Sequence, residues 1–90
     1  MTDEKKGHKI FIVEDDLDLS EMLSAYFRVQ GYDVATAARG EDAVEAISRE
    51  IPDVAVLDIR LPDIDGYEVC RRLRRTRRTQ NLPVIFLTEK

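Results

Sequence analysis

The chain has little of what a secreted or membrane-spanning protein needs. Its 90 residues include a single cysteine, Cys70, which cannot form an internal disulfide, so a reducing compartment fits. No apolar run exceeds four residues, whereas a spanning helix needs about 20. The polar start before Lys9 lacks the apolar segment of a secretory signal. We therefore expect a cytoplasmic protein with no membrane partner.

An excess of basic charge is also missing. The chain has 18 acidic against 14 basic residues and a net charge of −4, which gives no general attraction to nucleic acid or anionic membranes. The exception is residues 71–78, which include six arginines. No aromatic residue lies between them. Leu73 is spaced to lie with Val69 on the inner side of a helix. We interpret the arginines as a solvated helix face with some contact to a partner protein or to a second copy of the chain, and expect no direct nucleic-acid binding.

What is present is a regular alternation of short strands and helices. Ninety residues make one small domain, and the order is β-α-β-α-β-α-β. The predicted strands lie at residues 10–13, 32–36, 53–57 and 84–87, and the helices open near Asp16, Gly40 and Gly66. Single helices between short apolar strands predict a doubly wound α/β fold with a parallel sheet, right-handed crossovers and helices on both faces.

Capping residues mark the ends of the predicted helices. Asp16 is expected to cap the first helix, and Gly31 to end it. Asp63 and Asp65 are expected to shape the loop before the third helix and to cap that helix, with Gly66 supplying turn freedom. The apolar positions expected to pack from the first helix are Leu19, Met22, Leu23, Tyr26 and Phe27.

Acidic residues follow two of the predicted strands. Glu14, Asp15 and Asp16 come directly after the first strand, and Asp58 follows the third. The carboxyl ends of parallel strands meet at one edge of a sheet, where ligands bind. Carboxylates there suit a divalent cation and a nucleophilic aspartate. Asp16 is also explained as a helix cap, and Glu14 as cap support or part of a metal shell. A dinucleotide site is excluded, because acids stand where a glycine-rich turn should hold phosphates.

Four motifs in order carry a resemblance to a known family. They are the acids after the first strand, Leu57-Asp58 after the third, Pro62–Gly66 in the following loop, and Phe86-Leu87-Thr88 after the fourth. Between Lys9 and Thr88 the chain resembles the receiver domain of bacterial two-component response regulators, a flavodoxin-like domain.

The resemblance implies a regulatory phosphoacceptor rather than an enzyme. Asp58 would take a phosphoryl group from a phosphohistidine on a sensor histidine kinase or phosphotransfer protein. Asp15, Asp58 and the backbone carbonyl of Arg60 would ligate Mg²⁺, with Glu14 acting through water. Thr88 would offer its hydroxyl to the phosphoryl group and so act as a switch residue.

The chain departs from the family pattern at its end. We interpret residues 1–8 as a flexible tail and 9–90 as an incomplete receiver domain, because a complete receiver continues with a helix, a fifth strand that carries a lysine, and a last helix. Lys90 lies in the loop after the fourth strand and is not assigned that lysine's role. We expect weakened phosphorylation, and self-association through the exposed edge of the fourth strand.

Two alternative functions remain open from the residues. One is a receiver-like interaction module that has lost phosphorylation. The other is a Mg²⁺-dependent phosphohydrolase with an aspartyl nucleophile. Such enzymes usually place a general acid two residues after the nucleophile, and here that position is Arg60, which argues against turnover.

Overall fold

The computed structural model describes residues 7–87, and their element order is the predicted one. All strand pairs are parallel, and the sheet order is β2-β1-β3-β4. The doubly wound parallel fold is confirmed. The elements are β1 Lys9–Val13, α1 Leu17–Val29, β2 Asp33–Ala37, α2 Gly40–Arg49, β3 Val54–Asp58, α3 Gly66–Arg75 and β4 Val84–Leu87.

The sheet separates two apolar cores, because successive side chains of a strand point to opposite faces. One face, built from Phe11, Val13 and Leu57, packs against α2 and α3. On the other, Ile10, Ile12 and Val56 pack against α1. Both faces of the two central strands are therefore buried, which explains why β1 and β3 read as continuous apolar runs. No helix within residues 7–87 is long and apolar enough to cross a membrane.

Three strands differ from the prediction by one residue: β1 begins one residue earlier, and β2 and β3 each begin and end one residue later. The sequence placed Tyr32 in β2, but its N–H donates to the carbonyl of Phe27 (3.1 Å), so Tyr32 belongs to the exit turn of α1. Asp53 was placed in β3, but its carboxylate accepts from the backbone N–H of Lys9 (2.7 Å) just before that strand. Asp58 is instead the last residue of β3, where it pairs in register with Leu87.

The ends of α1 are as predicted. The Asp16 carboxylate accepts from the backbone N–H groups of Asp18 (3.0 Å) and Leu19 (3.2 Å), which satisfies two donors of the first turn. Gly31 follows the helix with φ of 101°, a left-handed conformation that glycine adopts without steric cost. Both residues therefore set the length of the helix.

Two of the packing positions predicted for α1 are wrong. Met22 is 61% exposed and Tyr26 59% exposed, although Tyr26 keeps an edge contact with Phe27. The helix contacts the sheet mainly through Leu23 and Phe27. Small residues, Ser20 and Ser24, occupy buried positions on the helix. The spacing of the apolar residues in α1 did not show which of them face the sheet and which face solvent.

The loop between β3 and α3 assigns its two aspartates to different helices. Asp65 caps α3 as predicted, accepting from the N–H of Glu68 (2.8 Å). The prediction that Asp63 caps the same helix is wrong. Its carboxylate accepts from the N–H groups of Gly40 and Glu41, both at 2.8 Å, at the start of α2. Partial burial acts to raise the pKa of Asp63, but these backbone hydrogen bonds prevail and lower it to about 2.

Gly66 is required by close approach rather than by turn freedom. Among the described residues only Gly7 and Gly31 have positive φ, and Gly66 is the first residue of α3. Its N–H donates to the carbonyl of Ile59 (2.8 Å). A Cβ atom at this position would overlap the backbone carbonyl of Asp58. The glycine thus lets α3 begin directly against the end of β3.

The arginines of residues 71–78 are partly engaged in the fold. Arg72 pairs with Glu68 (2.9 Å) on α3 and with Glu41 (3.5 Å) on α2. The Arg74 guanidinium donates to the carbonyl of Leu82 (2.8 Å). Cations also suit the negative end of a helix dipole. These contacts agree with a solvated, ion-paired helix face, and the absence of direct nucleic-acid binding stays a prediction.

Replacing Gly66 with alanine should destabilise the fold. The added methyl group meets rigid backbone rather than a flexible side chain, so we expect a loss of about 2 kcal/mol in the free energy of unfolding. Urea denaturation followed by circular dichroism measures it. Glu21→Ala is the control, because Glu21 is exposed on α1 and alanine is favoured in a helix. Equal midpoints for Gly66→Ala and the unmodified protein would contradict the close-approach argument.

Candidate functional site

Three carboxylates meet at the edge of the sheet where β1 and β3 end. One oxygen from each of Glu14, Asp15 and Asp58 lies within 4.8 Å of the others. The backbone explains the meeting, since Val13 and Leu57 are partners in the parallel register and the acids follow them. The sequence predicted this convergence, and the structure brings these three residues together.

Two of the three acidic residues are buried. Glu14 is 5% exposed and Asp58 8% exposed, while Asp15 is exposed. Glu14 accepts from the N–H of Asp16 (3.0 Å), and Asp58 receives a long bond from the N–H of Arg60 (3.4 Å). Both of these donors are neutral backbone groups, and burying a carboxylate without a counter-charge is costly.

The pKa of Glu14 reflects the crowding of these carboxylates. Burial raises the pKa of Glu14, and the negative charges of Asp58 and Asp15 raise it further, while the hydrogen bond from the Asp16 N–H opposes the change. Like charges at close range disfavour joint ionisation. A cation placed among the three side chains would reverse that penalty.

The space beside the cluster has room for such a cation. A cavity of about 330 Å³ opens at this edge of the sheet, and a water molecule takes roughly 30 Å³. Mg²⁺ prefers oxygen ligands, with one or two carboxylates and several waters, so the donor set and the space both fit it. The cavity is lined by Glu14, Asp15, Asp16, Leu19, Asp58, Arg60 and Leu87.

The other predicted site residues are placed less completely. Arg60 lines the cavity, and the role of its backbone carbonyl stays a prediction. Thr88 and Lys90 lie outside the described residues. Leu87, which directly precedes Thr88, pairs with Asp58 and lines the cavity. The sequence did not single out Leu87 as a lining residue, although its register opposite Asp58 follows from adjacent parallel strands.

Comparison with known proteins agrees with this geometry. Residues 10–90 match the family model described as the response regulator receiver domain. The chain is 46% identical over 81 residues to the transcriptional regulatory protein AfsQ1 of Streptomyces coelicolor, covering 90% of this chain and 35% of that protein. It is 40% identical over 82 residues to the phosphate regulon transcriptional regulatory protein PhoB of Rhizobium meliloti, with coverages of 91% and 36%. The chain thus spans about a third of these relatives.

Solved structures give the same picture. A response regulator from Chloroflexus aurantiacus superposes with a TM-score of 0.87 at 42% identity, covering 90% of this chain and 66% of that one. The receiver domain of the sensor histidine kinase PA1611 from Pseudomonas aeruginosa gives a TM-score of 0.88 at 35% identity, with coverages of 91% and 67%. That structure has a magnesium ion coordinated in its active site cleft.

Neutralising Glu14 should stabilise the metal-free protein. The folded-state pKa of Glu14 is raised above 4.5, so its ionisation opposes folding at pH values above the folded-state pKa. At pH 7 with a chelator, Glu14→Gln should melt a few degrees higher, since about 1 kcal/mol shifts a domain of this size by roughly 4–8 °C. The difference should shrink as the pH falls toward 4.5, where the wild-type carboxylate takes up a proton.

Thermal melts between pH 4.5 and 8 measure this effect, with the exposed Glu21→Gln as the control. The variant should also gain less from millimolar Mg²⁺ than the wild type. A lower melting temperature for Glu14→Gln at pH 7 would show that the crowding is relieved in another way.

Proposed function

This chain belongs to the response regulator receiver domain family of two-component signalling, and we propose that Asp58 is its phosphoacceptor. The donor is a phosphohistidine of a histidine kinase or phosphotransfer protein. The observation that carries the proposal is the convergence of the Glu14, Asp15 and Asp58 carboxylates on one cavity. The proposed role is regulatory, in that phosphorylation of Asp58 alters partner binding in the cytoplasm.

The proposed transfer uses a carboxylate oxygen of Asp58 as the nucleophile. It attacks phosphorus in line with the P–N bond, which breaks and leaves its electron pair on the imidazole nitrogen. The product is an acyl phosphate on Asp58. Such transfers demand mainly positioning and charge stabilisation. Asp58 is held for attack at the end of a buried strand, and the Arg60 N–H orients one of its oxygens.

The residues fit a Mg²⁺ ion as the source of charge stabilisation. Asp15, Asp58 and the Arg60 backbone carbonyl would hold it, with Glu14 acting through water. The ion would neutralise negative charge on the phosphoryl oxygens. Thr88 is proposed to contact the phosphoryl group through its hydroxyl and so to report whether Asp58 is modified.

Turnover of phosphoesters is not favoured by the chain. Arg60 stands two residues after Asp58, where a hydrolase of this type needs a proton donor. Arginine remains protonated at physiological pH and does not serve as a general acid. The modified aspartate should therefore persist long enough to act as a signal.

Phosphorylation by a small donor tests the proposal. The protein is incubated with Mg²⁺ and acetyl phosphate, and the expected product is a stoichiometric, acid-stable and base-labile phosphoprotein that Asp58→Asn abolishes. Asp65→Asn is the matched control, because asparagine can still cap α3 and the residue lies in the same loop. Intact mass spectrometry gives the stoichiometry.

Each other outcome points to a different function. Multiple turnover of diverse phosphoesters would indicate a hydrolase. The absence of phosphorylation together with retained partner binding would indicate an interaction module. Labelling that survives in Asp58→Asn would move the acceptor to another side chain.

We also propose that this chain self-associates through β4. Among residues 7–87 this strand pairs only with β3, which leaves one edge of hydrogen-bonding groups open. Ile85 is 55% exposed on the strand, although the residues on either side pack against the core. Sedimentation equilibrium should show a concentration-dependent rise in mass. Ile85→Lys should suppress it, since charges on edge strands oppose strand addition. A folded monomer at every concentration would contradict this proposal.

A further inference from the structure

The loop that carries Arg60 is anchored to two helices at once. This loop, residues 59–65, is closed at its ends by the bond between the Ile59 carbonyl and the Gly66 N–H (2.8 Å). Asp65 ties it to α3. Asp63 ties it to α2, 22 and 23 residues earlier in the chain, through two bonds of 2.8 Å.

The N-cap residue of α2 does not replace the hydrogen bonds that Asp63 supplies. Arg39, the residue at the N-cap position of α2, makes no side-chain capping bond. The first N–H groups of a helix lack intrahelical partners, and two of them are satisfied here by Asp63. The start of α2 and the loop therefore share the Asp63 carboxylate. Movement of either one breaks these hydrogen bonds or displaces the other.

Packing reinforces the same junction. A Cβ atom on Gly40 would collide with the side chains of Ile64 and Val69, so the start of α2 lies directly against the loop and α3. Asp58 precedes the loop and Arg60 lies within it, and both line the acidic cavity. A shift of the loop would change the position of Arg60 relative to the carboxylates of Glu14 and Asp15.

We propose that Asp63 is a positioning residue for the metal site, which it holds in place by locking the loop of Arg60 to the first turn of α2. This inference rests on the proposed Mg²⁺ site and deepens it. Residues that orient metal ligands from outside the coordination shell typically contribute 10–100-fold in affinity. By the reciprocity of linked equilibria, metal binding should also tighten the Asp63 bonds to α2.

Magnesium affinity separates positioning from mere stability. Titration calorimetry with MgCl₂ should show about tenfold weaker binding in Asp63→Ala. Asp63→Asn should fall in between, because its amide oxygen can accept one of the two N–H bonds. The control is Ile47→Val, a fully buried position on α2 that lowers the melting temperature and leaves the Asp63 bonds intact. Equal affinities in Asp63→Ala and Ile47→Val would overturn the proposal.

A measurement on the unmodified protein tests the inference even if Asp63→Ala does not fold. Hydrogen exchange of the Gly40 and Glu41 amides should slow when saturating Mg²⁺ is added, because these are the donors to Asp63. The Asp33 amide, which donates to the His8 carbonyl away from the site (2.9 Å), should not change. Unchanged exchange at Gly40 and Glu41 under saturating metal would refute the coupling.

These outcomes are distinct from failure of the proposed function. Missing acetyl phosphate labelling with normal Mg²⁺ binding would remove the phosphoacceptor role and leave the positioning role of Asp63 in place. Normal labelling with Mg²⁺ affinity unaffected by Asp63→Ala would do the reverse.

Discussion

The in-register parallel pairing of β1 with β3 is the constraint on which the site depends. It aligns Val13 with Leu57, so that the acids following each strand meet at one edge of the sheet. The resulting cluster is electrostatically unfavourable without a cation, since Glu14 and Asp58 are both buried and like charges oppose joint ionisation. The two apolar cores must compensate for that repulsion in the folded protein. The acidic cluster is thus maintained at some cost to stability, which is common where function requires it.

The loop after β3 converts this edge into an organised cavity. Gly66 brings α3 against the Asp58 backbone, and the two aspartates of the loop bind the first turns of α3 and α2. Arg72 adds an ion pair from α3 to Glu41 on α2. The helices on one face of the sheet and the loop at the site therefore form a connected unit. A structural change at the acidic edge of the sheet can therefore reach α2 and α3 through the contacts of this loop.

Much of the fold could be read from the chain because its signals are local. Apolar runs and helix caps identified all seven elements, and Asp16, Gly31 and Asp65 behave as their residue types predict. The convergence of acids at the sheet edge followed from their position after parallel strands. Their roles in phosphoryl transfer and metal binding remain proposals. What could not be read were choices between equivalent local options, such as the side of α1 on which Tyr26 lies.

The sequence by itself determined the element order, the parallel sheet and the carboxylates available to the site, because spacing and turn chemistry act between near neighbours. Tertiary structure alone decided that Asp63 serves α2 and that Gly66 is needed for close packing. It also placed Met22 outside the core. These outcomes depend on contacts between segments far apart in the chain. A residue's own neighbours carry no record of which distant backbone group will come within hydrogen-bonding distance.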